Sequence, residues 1–296
     1  MKMNKFILPL LLVLTFFMSC NEDNNLEPSN LERDWFVIQD NPNDPIQHAI
    51  YLFYEKTGIP VFYNDTIGQM ERVDNWGNSY IHYTMLSINY ALGGVGTSPS
   101  VYSYTLCPKE YVMDGLAFLE TEIIPLLPET MSVRSFLLLN TLETSGLGSS
   151  SFKGLNTILV AQVPRLREMT REERVKLKAA VLRSIFTASI STYEKELESF
   201  YQTTRSYYTT EDLYGYNVWY YQNRTPYQDP EEVGFLGVDP SYTSCLPTES
   251  MDVSMYIEAM FMYSREEFED LYGSYEAVMK KYDIMLSILE SIGVSL

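Results

Sequence analysis

The chain has 296 residues, 46% of them hydrophobic, and a formal net charge of −18. That supplies apolar side chains for a sizeable core, and the excess of acids argues against nucleic acid or anionic lipid headgroups as partners. With two histidines and three cysteines in all, the sequence has no HExxH, no Cys-x-x-Cys pair and no His-rich tract from which a usual zinc site could be assembled.

Lys2 and Lys5 precede an apolar run, Phe6 to Phe17, that is too short and too early for a spanning helix. Residues 1–19 therefore read as a signal peptide. The run closes on Phe17-Met18-Ser19-Cys20, which resembles a bacterial lipobox. Such a site implies cleavage before Cys20 and acylation there, and several chains anchor firmly because each buried methylene adds about 0.8 kcal/mol. The alternative is an ordinary cleaved signal in which Cys20 is incidental. Residues 20–33, with Asn21-Glu22-Asp23-Asn24-Asn25, read as a solvated tether. An acidic run behind a lipidated cysteine resembles the surface-export signals of some Gram-negative lipoproteins. The expected location is the outer membrane, lipid-anchored and facing the cell surface. Residues 34–296 show no linker or repeat and read as a single domain.

Pro45 to Lys56 has helical periodicity and stops at Gly58. Ile59 to Tyr63 and Tyr80 to Leu86 read as strands. Gly93-Gly94-Val95-Gly96 lacks the lysine and strand-to-helix context of a phosphate loop and reads as a plain loop. Lys109 to Leu127 predicts a helix closed by Pro128. Arg134 to Glu143 and Leu155 to Val163 predict two strands around a glycine- and serine-rich loop. Thr170-Arg171-Glu172-Glu173 is a capping box that opens a long helix running to about Tyr201. Tyr207 to Tyr227 is aromatic and irregular. Met251 to Tyr263, Arg265 to Tyr272 and Tyr275 to Ser291 predict three helices, the second behind the capping box Ser264-Arg265-Glu266-Glu267. Strands early and helices late make the class α+β.

From Gln228 onward fourteen acids stand against Arg265, Lys280 and Lys281, as on a solvated helical face. A calcium site there would have no loop motif behind it. Cys107 and Cys245 could pair in an oxidising compartment, although no spacing rule supports it. His48 on a helix and His82 on a strand read as structural side chains before they read as ligands. No Gly-x-Ser-x-Gly elbow is present, and no carboxylate pair is picked out by context. The positive feature is aromatic: Tyr214, Tyr216, Trp219, Tyr220 and Tyr221 crowd a polar segment. Such rings can stack on sugars or extended peptides, or else pack a long loop onto the domain.

From about Ile46 onward the chain resembles the substrate import-associated zinc metallohydrolase lipoproteins, a zinc-binding metallopeptidase family. The matching pieces are "IQHAIYLFYEKTGIPVFYND", "DGLAFLETEIIPLL", "SFLLLNT", "EEVGF", "YIEAMFMYSREEFEDLY" and the closing "LESIGVSL". The resemblance implies a zincin-like scaffold with a long central helix, and a role beside outer-membrane nutrient importers. It also implies an HExxH on that helix, where this chain has Ser184, Ile185, Phe186, Thr187 and Ala188. The family's acidic positions ahead of the closing helices fall near Met251 and Met255, with only Asp252 kept nearby. Serine and alanine cannot supply an imidazole lone pair, so three-ligand zinc catalysis is not expected on this helix.

The reading that follows is a surface accessory protein on a catalytically silent scaffold, without a cofactor. Its expected partners are outer-membrane importer components, with an oligosaccharide or peptide as ligand. The alternative is an active hydrolase using carboxylates or an unrecognised metal site.

Overall fold

Asp44 caps the first helix, α1 (Pro45–Thr57), by accepting from the amides of Ile46 and Gln47, and Gly58 ends it at φ 72. Only glycine adopts that left-handed conformation without strain. In the computed structural model, which describes residues 33–89, 100–129 and 131–296, strand β1 is the short Val61–Phe62. The expected signal peptide, Cys20, most of the expected tether and the expected loop at Gly93 to Gly96 lie outside the described residues. Residues Trp35 to Leu296 form one compact unit.

A two-stranded ribbon follows, β2 (Thr66–Val73) and β3 (Ser79–Met85), paired antiparallel. Next come β4 (Val101–Leu106) and helix α2 (Val112–Phe118). The expected helix to Leu127 is not regular: it passes through a π turn at Leu119–Ile123 and a tight turn at Ile124–Leu126. Pro125 lacks the amide that would continue the ladder. Strand β5 (Phe136–Thr144) is the centre of the main sheet. Its first half pairs in parallel with β1 and with β7 (Ile158–Val160), and its second half antiparallel with β4. Strand β6 (Ser151–Lys153) closes the path on the far side of β7. Two expected strands are thus three, because Gly154 to Thr157 make a tight hairpin rather than strand.

Alternate residues of β5 point to opposite faces. Phe136 and Leu138 join the large helical core, while Leu137 and Leu139 join a second layer with Phe62, Leu86 and Val101. Both faces are covered, which explains the unbroken apolar run "FLLL". Helix α2 sits close enough that a side chain at Gly115 would meet Leu138 at 2.7 Å.

The long helix breaks in two. Helix α3 (Arg171–Ile190) opens on the expected capping box of Thr170 and Glu173, and α4 (Glu194–Arg205) follows after three residues. The Thr192 hydroxyl donates to the Ser189 carbonyl at 2.8 Å, and such local bonds compete with the helix. Helix α5 (Val218–Arg224), capped by Asn217, lies inside the segment expected to be irregular. Helices α6 (Glu249–Met262), α7 (Arg265–Tyr272) and α8 (Glu276–Ser291) complete the chain, α7 behind its predicted box. The result is a mixed α+β fold with a small mixed sheet. Among the described residues no helix is long and apolar enough to cross a membrane.

Candidate functional site

The face of α3 that the sequence singles out packs against α6. Ser184 is buried, and its hydroxyl donates to the Ala180 carbonyl one turn back, 3.0 Å away. Thr187 does the same to Arg183 at 2.8 Å, with Ser254 of α6 at 3.5 Å. Ile185 and Phe186 are core residues, and the Phe186 ring stacks on Phe261 with centroids 5.3 Å apart. Met251 and Met255 are half-buried on α6. The side chain of Ala188 lies outside the described residues.

Arg183, immediately before this strip, is the polar pin of the seam. It is 5% exposed. Its Nη1 donates to the Leu147 carbonyl at 2.6 Å and its Nη2 to Ser151 at 3.1 Å. Its Nε lies 3.1 Å from Oε2 of Glu258 on α6. Burial pushes the Glu258 carboxyl above its usual range, against the opposing pull of the guanidinium. Arg183 thereby ties α3 to α6 and to both ends of the loop before β6. Between α3 and the β6–β7 hairpin lies a cleft of about 160 Å³ whose lining includes Ser132, Arg134, Lys153, Asn156, Ile185 and Ser189.

The aromatic segment divides into two roles. Tyr221 is fully buried and its hydroxyl donates to the Asp229 carbonyl at 2.9 Å; burial raises its pKa. It packs a small core with Leu213, Val233, Phe235 and Leu246. Tyr214 is also turned inward, donating to Asp252 at 2.9 Å. As a candidate ligand-stacking residue Tyr221 is corrected, because packing has claimed its ring, while Tyr214 is half-buried with its hydroxyl committed to Asp252. Trp219 and Tyr220 are exposed, at 63% and 41%, with ring centroids 5.0 Å apart. Tyr216 lies beside Tyr220 at 6.4 Å, and the Arg224 guanidinium covers Tyr220 at 4.4 Å. The segment is braced by a bridge from Asn217 to Cys245 and by Ser241, which donates to Gly146 at 3.2 Å. Gly146 neighbours Leu147, the residue held by Arg183, so the aromatic platform and the α3 seam share one loop.

Sequence reasoning missed two features. The first is the outer face of the β2–β3 ribbon, where Val73, Ile81, Tyr83 and Met85 are each at least half exposed, with Trp76 at the turn 84% exposed. The second is buried. Lys281 and Asp252, both fully buried, form an ion pair between α8 and α6. Nζ also donates to Thr204 at 3.0 Å and lies 4.2 Å from the Phe200 ring centroid, with Phe235 and Tyr256 at 5.1 and 5.3 Å. Lys281 therefore does not belong to the solvated face on which its charge was counted. Asp252 does not reach the α3 seam as a remnant of a metal site; it serves this pair. The clue was in the sequence: Lys281 occupies a position of the apolar stripe Val278, Met285, Ile288 on α8.

Cys107 is buried and Cys245 half-buried, and both are free thiols. His48 Nδ1 sits 2.7 Å from Asp40, and His82 is half-buried on the inner ribbon face. Among the described residues no three His, Cys, Asp or Glu side chains are grouped so as to hold a metal ion. No family model matches the chain, and neither a curated protein nor a solved structure matches it.

Proposed function

We propose that this chain is a lipid-anchored surface protein, accessory to an outer-membrane nutrient import system, whose metallopeptidase-like scaffold binds rather than cuts. One observation supports the reading above the others. The strip of α3 where the resemblance expects metal ligands is filled by self-satisfied hydroxyls, a stacked phenylalanine pair and the Arg183 pin. The neighbouring surface keeps Trp219 and Tyr220 exposed. Among the described residues, a helix face so packed presents no imidazole or carboxylate with which to activate a water for hydrolysis, whereas exposed flat rings suit a sugar or an extended peptide. The lipobox resemblance at Cys20 supplies the anchor in this reading, and the importer components are its partners.

Affinity capture of the full-length lipidated protein from native membranes tests the proposal. Co-isolation of outer-membrane transporter subunits, reduced by Trp219→Ala with Tyr220→Ala, is the expected result. Recovery of the protein alone, or a metal-dependent peptidase activity, would contradict it.

A further inference from the structure

We propose that Lys281 and Asp252 become joined by an intramolecular amide bond, a covalent cross-link between α8 and α6. The proposal does not depend on the import reading. The side chains meet Nζ to Oδ2 with both residues fully buried, 29 positions apart in sequence. Aromatic rings at 4.2 to 5.6 Å hold Nζ in place: Phe200, Phe235, Tyr256 and Tyr214. Thr204 and Tyr214 are its other polar neighbours. Fixed opposition of this kind is what gives intramolecular reactions effective molarities on the order of 10⁵–10⁸ M.

Burial pushes the Asp252 carboxyl up and the Lys281 ammonium down, each against the pull of the opposing charge, and so lowers the cost of passing from the ion pair to its neutral forms. A neutral amine and a neutral carboxylic acid are the reactants for amide formation. Tyr214 is placed to move the proton: its hydroxyl is 2.9 Å from Oδ2 and 3.3 Å from Nζ. The Nζ lone pair attacks Cγ of Asp252, and the carbonyl electrons shift to oxygen. Tyr214 gives its proton to the leaving hydroxyl and receives one from Nζ. The C–O bond breaks, water departs, and the amide remains. Amine and acid become amide and water, so no oxidant or co-reactant is needed. The buried Oδ1 has no hydrogen-bond partner, which is a heavier burden for a carboxylate than for an amide carbonyl. Full burial behind aromatic rings also limits the access of the bulk water that would reverse the step.

Mass spectrometry of the denatured full-length protein decides the matter. The expected result is an intact mass lower by one water, and a branched proteolytic peptide joining the Asp252 and Lys281 segments, with no cleavage after Lys281. Asp252→Ala and Lys281→Met abolish both signals. Tyr214→Phe, which keeps the ring, slows their appearance at least tenfold. Should the Ala and Met variants fail to fold, the wild-type digest and Tyr214→Phe still decide. Full mass, with Lys281 cleaved by trypsin and acylated by an amine reagent after denaturation, overturns the proposal.

Discussion

Arg183→Met removes the pin of the α3–α6 seam while keeping an unbranched stem in its place. Two charge-assisted hydrogen bonds, to Leu147 and Ser151, are lost, each contributing about 1.5–3 kcal/mol. Glu258 is left as a largely buried carboxyl without its counter-ion, and breaking a buried pair this way costs about 3–5 kcal/mol. Relief by protonation and local rearrangement keeps these losses from adding fully, so about 3–5 kcal/mol is the expected total. With an m-value of about 3 kcal/mol/M in urea, the midpoint falls by roughly 1–1.7 M. The pH dependence carries the sign. Glu258 has a folded pKa raised by burial above the ordinary glutamate value of 4.5, so the folded state holds a proton that the unfolded chain releases. Its contribution is present below 4.5 and is lost as pH rises through the folded value. Without Arg183, the one influence lowering that pKa is gone, and the window extends upward. Arg183→Met should therefore lose further stability from pH 4.5 towards neutrality, and Glu258→Gln in the same background should flatten that slope. Urea titrations across this range provide the assay. A loss under about 1 kcal/mol with an unchanged pH profile would refute the claim that this pair holds the seam.

Phe186→Ala should destabilise by about 3–5 kcal/mol, since the ring is fully buried and stacked on Phe261, while Ser184→Ala should stay within about 1 kcal/mol in the same denaturation assay. Tyr221→Ala should likewise cost about 3–5 kcal/mol, whereas Trp219→Ala should leave stability within about 0.5 kcal/mol and lower ligand or partner capture. Site-resolved alkylation at pH 8 should label the half-buried Cys245 and spare Cys107 until the chain is unfolded, because Cys107 is 3% exposed and burial pushes its pKa to about 12.

The sequence was most legible where short-range chemistry decides the structure. The capping boxes at Thr170 and Ser264 and the glycine stop at Gly58 are local devices, and they stand where the residues place them. The helices α6, α7 and α8 follow from periodicity for the same reason. Strands β2 and β4 went unread: β2 mixes polar and charged residues with its apolar ones and turns Gln69, Glu71 and Val73 outward, while β4, although Tyr102, Tyr104 and Leu106 alternate with Ser103 and Thr105, exposes Tyr102 and is irregular in register at both ends. The existence of β4 depends on a partner distant in sequence, β5, whereas β2 pairs locally with β3. The break between α3 and α4 is a local turn, with the Thr192 hydroxyl on the Ser189 carbonyl and the Tyr193 amide on Ile190, too weak a signal against twenty residues of helical pattern. Of the aromatic segment the composition was visible, but not its division into Tyr214 and Tyr221 facing in, Trp219 and Tyr220 facing out. The Lys281–Asp252 pair is a tertiary event, disclosed only by a lysine on an apolar stripe.

The claim that the α3–α6 seam is packing and not a metal site is tested most directly by metal analysis of the purified full-length protein after incubation with zinc and exhaustive dialysis. Well below one zinc per chain, with a Tm indifferent to chelator, is the predicted result. One tightly held zinc per chain, whose removal lowers the Tm, would contradict it.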